Sequence, residues 1–528
     1  MDRKQVYELY KQASEKMDSS DFSNALRLTR EIQNAGEDHF VSYIASGLLI
    51  DIGSALSSEE IITEGVDLLE RDFKAIVYDE QYAVTAHYNL ANGYSALFDL
   101  KRIEDPYAAC FKETELASAR FHYERALEYD SQDPMIISQI WVNLGNCFDA
   151  VGRVIDALEC YEKALRWKQD HGMALGNKGI GLYSYAMVAG EHRGTFLIEA
   201  YSLISQALKQ GVPIEKIPYF EKYLKEIKNC FKGRQHLLDN PPRYPGYRIK
   251  AKSKIERFLV EFCLENKLYL NICNYCQRCD AAIGDTAVIK KMIVPIGNLT
   301  KKDKLEGDQY LRLSGYLNQI KQDYVTARFL LALSRCAEFN INFVDKRVKI
   351  IDTLDYSIHN IYVELVKTSF GGFYNILDKI AFFINDYLEL HIPDEQISFR
   401  RVWYRNLRNR DKGIRKEIQN TNNFSLNAIF DLHQDLDVGT HKQLTQIRNQ
   451  LTHRFINVRM LQGSEDAENM TEDVLVSRTL ELTKLVRNAI LYLLQFVYIK
   501  ESKKQAETEG FVPTMFAQEL PDNLKGYR

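Results

Sequence analysis

At 528 residues the chain exceeds what one hydrophobic core usually organises, so two or three domains are expected. Its 45% hydrophobic and 27% charged residues exclude a disordered chain, and a net charge of -4 excludes bulk basic character, so any nucleic-acid affinity must come from a local patch. Only 11 prolines and 27 glycines punctuate it, and apolar residues recur three and four apart over long stretches, so the expected class is all-α.

The N-terminus, "MDRKQVYELYKQ", is charged from its second residue and lacks a signal peptide's apolar core. The longest apolar run, "AILYLLQFVYI", is too short to span a bilayer, so a cytoplasmic protein without membrane contact is expected. In that setting nine cysteines read as thiols or metal ligands, not as a disulfide frame.

Repeats organise residues 1–238. The clearest unit is "WVNLGNCFDAVGRVIDALECYEKALRW", in which Gly145 and Ala157 would let two antiparallel helices approach while Trp141, Phe148 and Tyr161 fill the space between repeats. The spacing of those residues with Leu144 and Ala164 resembles the tetratricopeptide repeat, although Gln169 stands at its usual terminal proline. Weaker copies flank it, with Ala25, Gly65, Ala119, Ala157 and Ala200 as the small residue of each second helix. Their intervals exceed the roughly 34 residues of an uninterrupted repeat, which predicts an irregular solenoid with loop insertions. In the first helices Asn89, Asn143 and Asn177 fall two positions before Ala91, Gly145 and Gly179. This looks like the asparagine ladder of peptide-binding tetratricopeptide proteins, so these three residues are the expected partner-binding set: an amide can pair with an extended peptide backbone whatever its side chains.

Three prolines and a glycine around "DNPPRYPGYR" mark a linker at 239–250, followed by a helical connecting region at 251–350. There "CNYCQRC" sets Cys273, Cys276 and Cys279 three apart, with Cys263 ten residues earlier. A structural zinc site usually needs two separated pairs, so a packing stripe of thiols is the simpler reading and no metal or cofactor is expected.

Residues 351–500 read as a helical bundle, with 501–528 as a polar tail. In "ELVKTSFGGFYNILDKIAFFINDYLEL" a buried face is marked by Leu377, Ile380, Ile384 and Leu388. Next, "RRVWYRNLRNRDKGIRK" packs Arg400, Arg401, Arg405, Arg408, Arg410 and further cations around Trp403 and Tyr404, a strip able to bind phosphates while its aromatic rings stack on bases. With Arg454 it forms the expected RNA path. The next helical segment contains "RNQLTH", from Arg448 through Asn449 to His453. A histidine that titrates near neutrality can take a 2′-OH proton or protonate a leaving oxygen, and an arginine can hold phosphate oxygens bidentately. Asn449 and His453, four apart, share a helix face, so the amide could orient the imidazole or the RNA, whereas Arg448 sits about 140° around from His453 and must reach back. The same spacing recurs in "RWKQDH", Arg166 to His171, at the end of a repeat helix, where a structural role is expected.

The Arg-Asn pair, the following His and the flanking "FYNILDKIAFFINDYLEL" and "ISFRRVWY" resemble the HEPN superfamily of helical RNases. The stretch from about residue 250 to 500 also resembles the branch with N-terminal tetratricopeptide repeats that acts in prokaryotic defence. The resemblance implies a metal-independent endoribonuclease with Arg448, Asn449 and His453 as catalytic residues. It also implies a homodimer that brings two motifs to one phosphate, and a solenoid that senses a protein or peptide trigger. Phe455 replaces the tyrosine that some HEPN toxins use as a modification site. The reading of a different class is a non-enzymatic repeat adaptor whose HEPN-like bundle only dimerises or binds RNA.

Overall fold

The computed structural model describes residues 1–36, 38–112, 114–131, 133–186, 192–242, 249–276, 280–288, 292–293, 301–406, 410–460, 468–507, 514–515 and 520–526. Arg408, Cys279 and most of the proline-rich stretch expected as a linker lie outside these residues. The chain divides into two compact units, Met1–Tyr185 with Leu197–Asn240, and Ala186–Phe196 with Pro241–Arg528. Among the described residues it is predominantly helical with very little strand, as its composition and periodicity predict.

The first unit is built from α1 (Arg3–Asp18), α2 (Phe22–Gln33), α3 (His39–Leu56), α4 (Glu59–Tyr78), α5 (Glu80–Glu104), α6 (Glu115–Ala126), α7 (Pro134–Ala150), α8 (Val154–Trp167), α9 (Gly172–Ala186), α10 (Arg193–Gln210) and α11 (Ile217–Cys230). From α1 to α8 each helix packs on the next in the chain. Aspartate and serine caps start most of them: Asp2, Asp21, Asp38, Ser58, Asp79 and Asp133 each accept a first-turn N–H. The small residues read from the sequence lie where helices touch, with Ala25, Ala119, Ala157 and Ala200 fully buried. At Gly145 a Cβ would lie 2.6 Å from Tyr161 Cε1, and at Gly65 one would lie 3.0 Å from the Ser46 carbonyl oxygen. No larger side chain fits at either crossing. This succession of helical hairpins fits the tetratricopeptide-like reading.

The second unit holds α12 (Lys254–Glu265), α13 (Lys301–Ser334), α14 (Ile361–Tyr387), α15 (Phe424–Asp437), α16 (Lys442–His453) and α17 (Glu472–Glu507), with a two-stranded parallel sheet of β1 (Asn457–Arg459) and β2 (Asn469–Thr471). Helix α13, inside the stretch expected to be a connecting region, packs along α14 and places Leu313, Leu317, Ile320, Tyr324 and Leu331 in the core. It is a bundle helix because its apolar residues repeat at three and four. On α14 Leu377, Ile380 and Ile384 are fully buried, and Leu388, which caps the helix, is half-buried. Helices α3 and α17 are long and apolar enough to cross a membrane by composition, but 56% and 78% of their most apolar windows are buried inside the protein. Their apolar surface is consumed by packing.

Candidate functional site

Helix α16 starts at the edge of the bundle and ends in the "RNQLTH" motif. Leu444 and Ile447 are its buried anchors. At its start His441 Nδ1 lies 2.6 Å from Glu481 Oε1 of α17, a carboxylate that also takes a bond from Arg478 at 2.9 Å. One turn on, Thr445 Oγ1 donates to the Leu436 carbonyl at 2.7 Å and lies 3.1 Å from the Tyr374 hydroxyl of α14. The helix is thus tied to α15, α14 and α17 before the motif begins.

Arg448 points inward over α14. Its guanidinium stands 5.5 Å from the centre of the Tyr374 ring, a cation–π contact that fixes the side chain's direction. One helical turn along α14 lies Asp378. Burial raises its carboxyl above the ordinary carboxylate range, while a bond from the Phe399 N–H at 2.8 Å and the charge of Arg448 pull it back. Asn449 Oδ1 accepts a bond from Arg448 at 3.2 Å. The amide oxygen thus holds the neighbouring arginine, whereas the expectation from sequence spacing is an amide that orients the imidazole or the RNA. His453 is the last residue of α16 and is exposed. Among the described residues it makes no hydrogen bond or ion pair. Beyond it Arg454 is exposed and meets Glu468 at 3.4 Å, and Glu468 also accepts from Gln450 at 3.1 Å.

Among the described residues of the basic strip, an antiparallel bridge joins Tyr404 to Ile414, and Gly413 stands at φ +79°. Trp403 is fully buried, donates Nε1–H to the Phe399 carbonyl at 2.7 Å and stacks on His433 of α15. It cannot stack on bases, because an indole costs too much to leave in water once a core slot and a carbonyl acceptor are present. Arg400, Arg401 and Arg405 are exposed, but Arg400 Nε pairs with Asp437 Oδ1 at 2.9 Å and Arg405 Nε donates to the Ile414 carbonyl at 2.8 Å. Arg410 forks onto Asp437 and lies 4.9 Å over the Tyr404 ring. Burial works to raise the Asp437 carboxyl, yet the bond from Arg410 and the charges of Arg410 and Arg400 hold it below its usual value. In the same shell His433 is pushed down to about 3, first by burial, with its Nε2 3.2 Å from the Tyr404 hydroxyl. Tyr374, Asp378, His433 and Asp437 carry no motif; the only sequence signal is their helical register with Leu377, Ile380, Ile429 and Leu436.

The other sequence-level candidates resolve differently. His171 of "RWKQDH" is buried, its Nδ1 2.7 Å from Ser138 Oγ, and is closed to substrate. The asparagines of the solenoid bind one another across repeats. Asn143 donates to Asn92 Oδ1 at 3.1 Å and Asn177 to Asn146 Oδ1 at 2.8 Å, while Tyr123 and Tyr161 donate to the same two oxygens at 2.6 and 3.0 Å. Asn89 packs on α3, where a Cβ on Gly47 would lie 2.7 Å from its Nδ2. Of this trio, Asn143 and Asn177 each donate to another asparagine of the solenoid, while Asn89 is half-buried against α3. Cys263 and Cys273 are buried and burial pushes the Cys263 thiol up to about 11; the Cys276 side chain and Cys279 lie outside the described residues.

The chain thus joins a unit of helical hairpins to a helical bundle that carries the Arg–His helix on its rim. Residues 305–500, from α13 into α17, match the family described as LA2681-like HEPN, and α16 with its motif lies inside the match. The C-terminal region is therefore a HEPN-superfamily domain, a type generally associated with RNase activity. No curated protein matches the chain.

Proposed function

We propose that the protein is a metal-independent endoribonuclease of HEPN type, with Arg448, Asn449 and His453 as its catalytic residues. The observation that carries the reading is the pairing of an anchored cation with an open base. Arg448 is braced by Tyr374 and Asn449, while His453, on the same helix and within the HEPN match, is exposed. His453 takes the proton from a ribose 2′-OH, the 2′-oxygen forms a bond to phosphorus, and the bond from phosphorus to the 5′-oxygen breaks. Arg448 stabilises the charge on the phosphorane, and the 5′-oxygen leaves with a proton returned by an imidazolium. The products are a 2′,3′-cyclic phosphate and a 5′-hydroxyl. Five residues separate Arg448 and His453 by about 7.5 Å along the helix axis as well as 140° around it. A second chain that supplies the facing pair would bring two histidines and two arginines to one phosphate, which favours a homodimer through the bundle. Arg400, Arg401, Arg405 and Arg454 lead RNA to it by charge alone.

The repeat unit would sense a protein or peptide trigger, and by its likeness to the defence branch of HEPN proteins the role is antiphage abortive infection in a prokaryotic cytoplasm. The test is cleavage of end-labelled RNA by purified wild type, His453→Ala and Arg448→Ala, with EDTA present. We expect cyclic-phosphate fragments from wild type and a loss of roughly 10²- to 10⁴-fold in each variant. Equal behaviour of all three proteins would leave the adaptor reading in its place.

A further inference from the structure

The corner that follows the motif holds an aromatic ring out in solvent. Thr452, His453, Arg454 and Phe455 are successive exposed residues, and Phe455, at 89%, is the most exposed phenylalanine among the described residues. The backbone beneath it is fastened on both sides. On one, the Arg454 N–H closes the last turn of α16 onto the Gln450 carbonyl at 2.9 Å. On the other, the Asn457 N–H donates to the Glu468 carbonyl at 2.9 Å, β1 pairs with β2, and the Val458 carbonyl accepts from the Ile358 N–H at 2.6 Å. Ile456 and Val458 are buried, which anchors the corner to the bundle. The ring is therefore presented by a fixed backbone, and ordering it for a ligand costs little more than its own side-chain rotamers.

The direction of the ring follows from Arg454, whose backbone is extended at φ -145° and ψ -152°. Residues on either side of an extended residue point the same way, so Phe455 leaves the chain on the side of His453, about 6.6 Å farther on from Cα to Cα, while Arg454 leaves on the other. In a nucleotide the base hangs from the carbon next to the one that carries the 2′-OH. A 2′-OH held at His453 thus brings a base into the neighbourhood of the ring. The surroundings fit a base better than a protein. Along the chain the ring's exposed neighbours are a hydroxyl, an imidazole and a guanidinium, with Glu468 beside Arg454, whereas a protein interface has an apolar centre. The next exposed apolar residue after it, Met460, is roughly 16 Å on along an extended strand. We propose that Phe455 is the base-stacking residue of this site: it takes an unpaired nucleobase adjoining the scissile phosphate and so selects single-stranded or looped RNA. In a duplex both faces of a base are covered by its neighbours, and a paired strand cannot offer one to the ring without unstacking. This role rests on the RNase reading of α16 for where the RNA lies, and adds to it the class of RNA that is held.

Binding and cleavage are measured separately, so that the two readings can fail separately. Wild type, Phe455→Ala and Phe455→Tyr would be titrated into a labelled mixed-sequence single strand and into its duplex, both 2′-O-methylated so that no 2′-OH can attack, with anisotropy as the readout. Cleavage of the unmodified single strand would be followed beside it. We expect Phe455→Ala to weaken single-strand binding by roughly fivefold to a hundredfold, with a matching fall in kcat/KM, and to leave duplex binding unchanged. Phe455→Tyr, which keeps the ring, should bind as wild type does. Wild-type single-strand binding in Phe455→Ala, equal losses on strand and duplex, or a tyrosine variant as weak as the alanine one would each overturn the stacking. Unchanged RNA binding together with a lower mass in solution for Phe455→Ala would assign the ring to a second protein chain instead. A wild type that binds no RNA would end both readings, whereas one that binds the single strand through Phe455 without cutting it would end the RNase reading and leave the stacking in place. Because the ring lies outside the core, all three proteins should melt alike.

Discussion

At residue scale the site divides between one arginine that is held and one histidine that is not. Arg448 has a ring beneath it, a half-buried carboxyl one turn along α14 and an amide at its fork. Such bracing removes side-chain freedom before substrate arrives, so the entropy of ordering the guanidinium is already spent. Asn449 acts through Arg448, and its removal should cost less than removal of the arginine itself. Asn449→Ala should lower kcat by roughly threefold to tenfold, the value of about one ordinary, partly solvated hydrogen bond, with KM little changed. Asn449→Asp, which still accepts from Arg448, should recover part of that loss. An Asn449→Ala variant as dead as His453→Ala would show instead that the amide touches RNA or the reacting groups. Trp403 belongs to the same scale as a purely structural residue. It shares its slot with His433, Phe399 and Phe430, and Trp403→Ala should destabilise the second unit by about 3–5 kcal/mol, read as a shifted denaturant midpoint.

At the scale of the element, two glycines that look alike in sequence have opposite meanings. Gly145 on α7 faces the ring of Tyr161, which is itself fixed by its bond to Asn146, so nothing can yield to a new methyl. Gly145→Ala should cost about 1–3 kcal/mol through overpacking. Gly371 on α14 has no atom within 4 Å of where a Cβ would stand, so Gly371→Ala should stabilise by about 0.5–1 kcal/mol through helix propensity alone. Chemical denaturation of the two variants beside wild type decides it; the same sign for both would refute the distinction. Repeat spacing by itself makes Gly145 legible, because a small residue three turns from its partner has only one use in a helical hairpin. The motif helix is legible for the same reason: its apolar residues keep the period of 3.6 through "QLTQIRNQL". The strip from Arg400 to Lys416 reads in sequence as an RNA-stacking surface because its density of cations hides the turn. The bridge from Tyr404 to Ile414 depends on Gly413 and on a tryptophan whose burial is decided by α15, far along the chain. The asparagine ladder is half legible. Asn143 and Asn177 meet not each other but Asn92 and Asn146, which Tyr123 and Tyr161 also hold, and repeat spacing does not reveal those partners.

At the scale of the whole molecule, buried histidines in both units set its response to acid. His433 in the second unit is driven down to about 3 by burial, and in the first unit His87 and His122 are each driven down to about 4, again by burial first, with their Nδ1 atoms 2.9 Å apart beside Phe73. The sign follows from which state binds more protons. Unfolded histidine titrates near 6.5, so below that pH the unfolded chain takes up protons that these folded imidazoles refuse, and stability present above 6.5 is lost as pH falls toward 4 and then 3. For His433 alone the loss between pH 6.5 and 5 reaches about 2 kcal/mol. Asp51 opposes the trend, since crowding raises its carboxyl to about 6 and so favours the folded state as it protonates, but its side chain is exposed and the offset is smaller. The melting temperature should therefore fall between pH 7 and pH 5, and His433→Gln, which keeps a polar side chain near the Tyr404 hydroxyl without a proton to gain, should flatten part of that slope at some cost in stability at pH 7. Melts of wild type and variant at pH 7, 6 and 5 measure both. A flat wild-type profile, or an identical slope in the variant, would mean that these imidazoles bind protons in the folded protein and that the core around Trp403 is open to water.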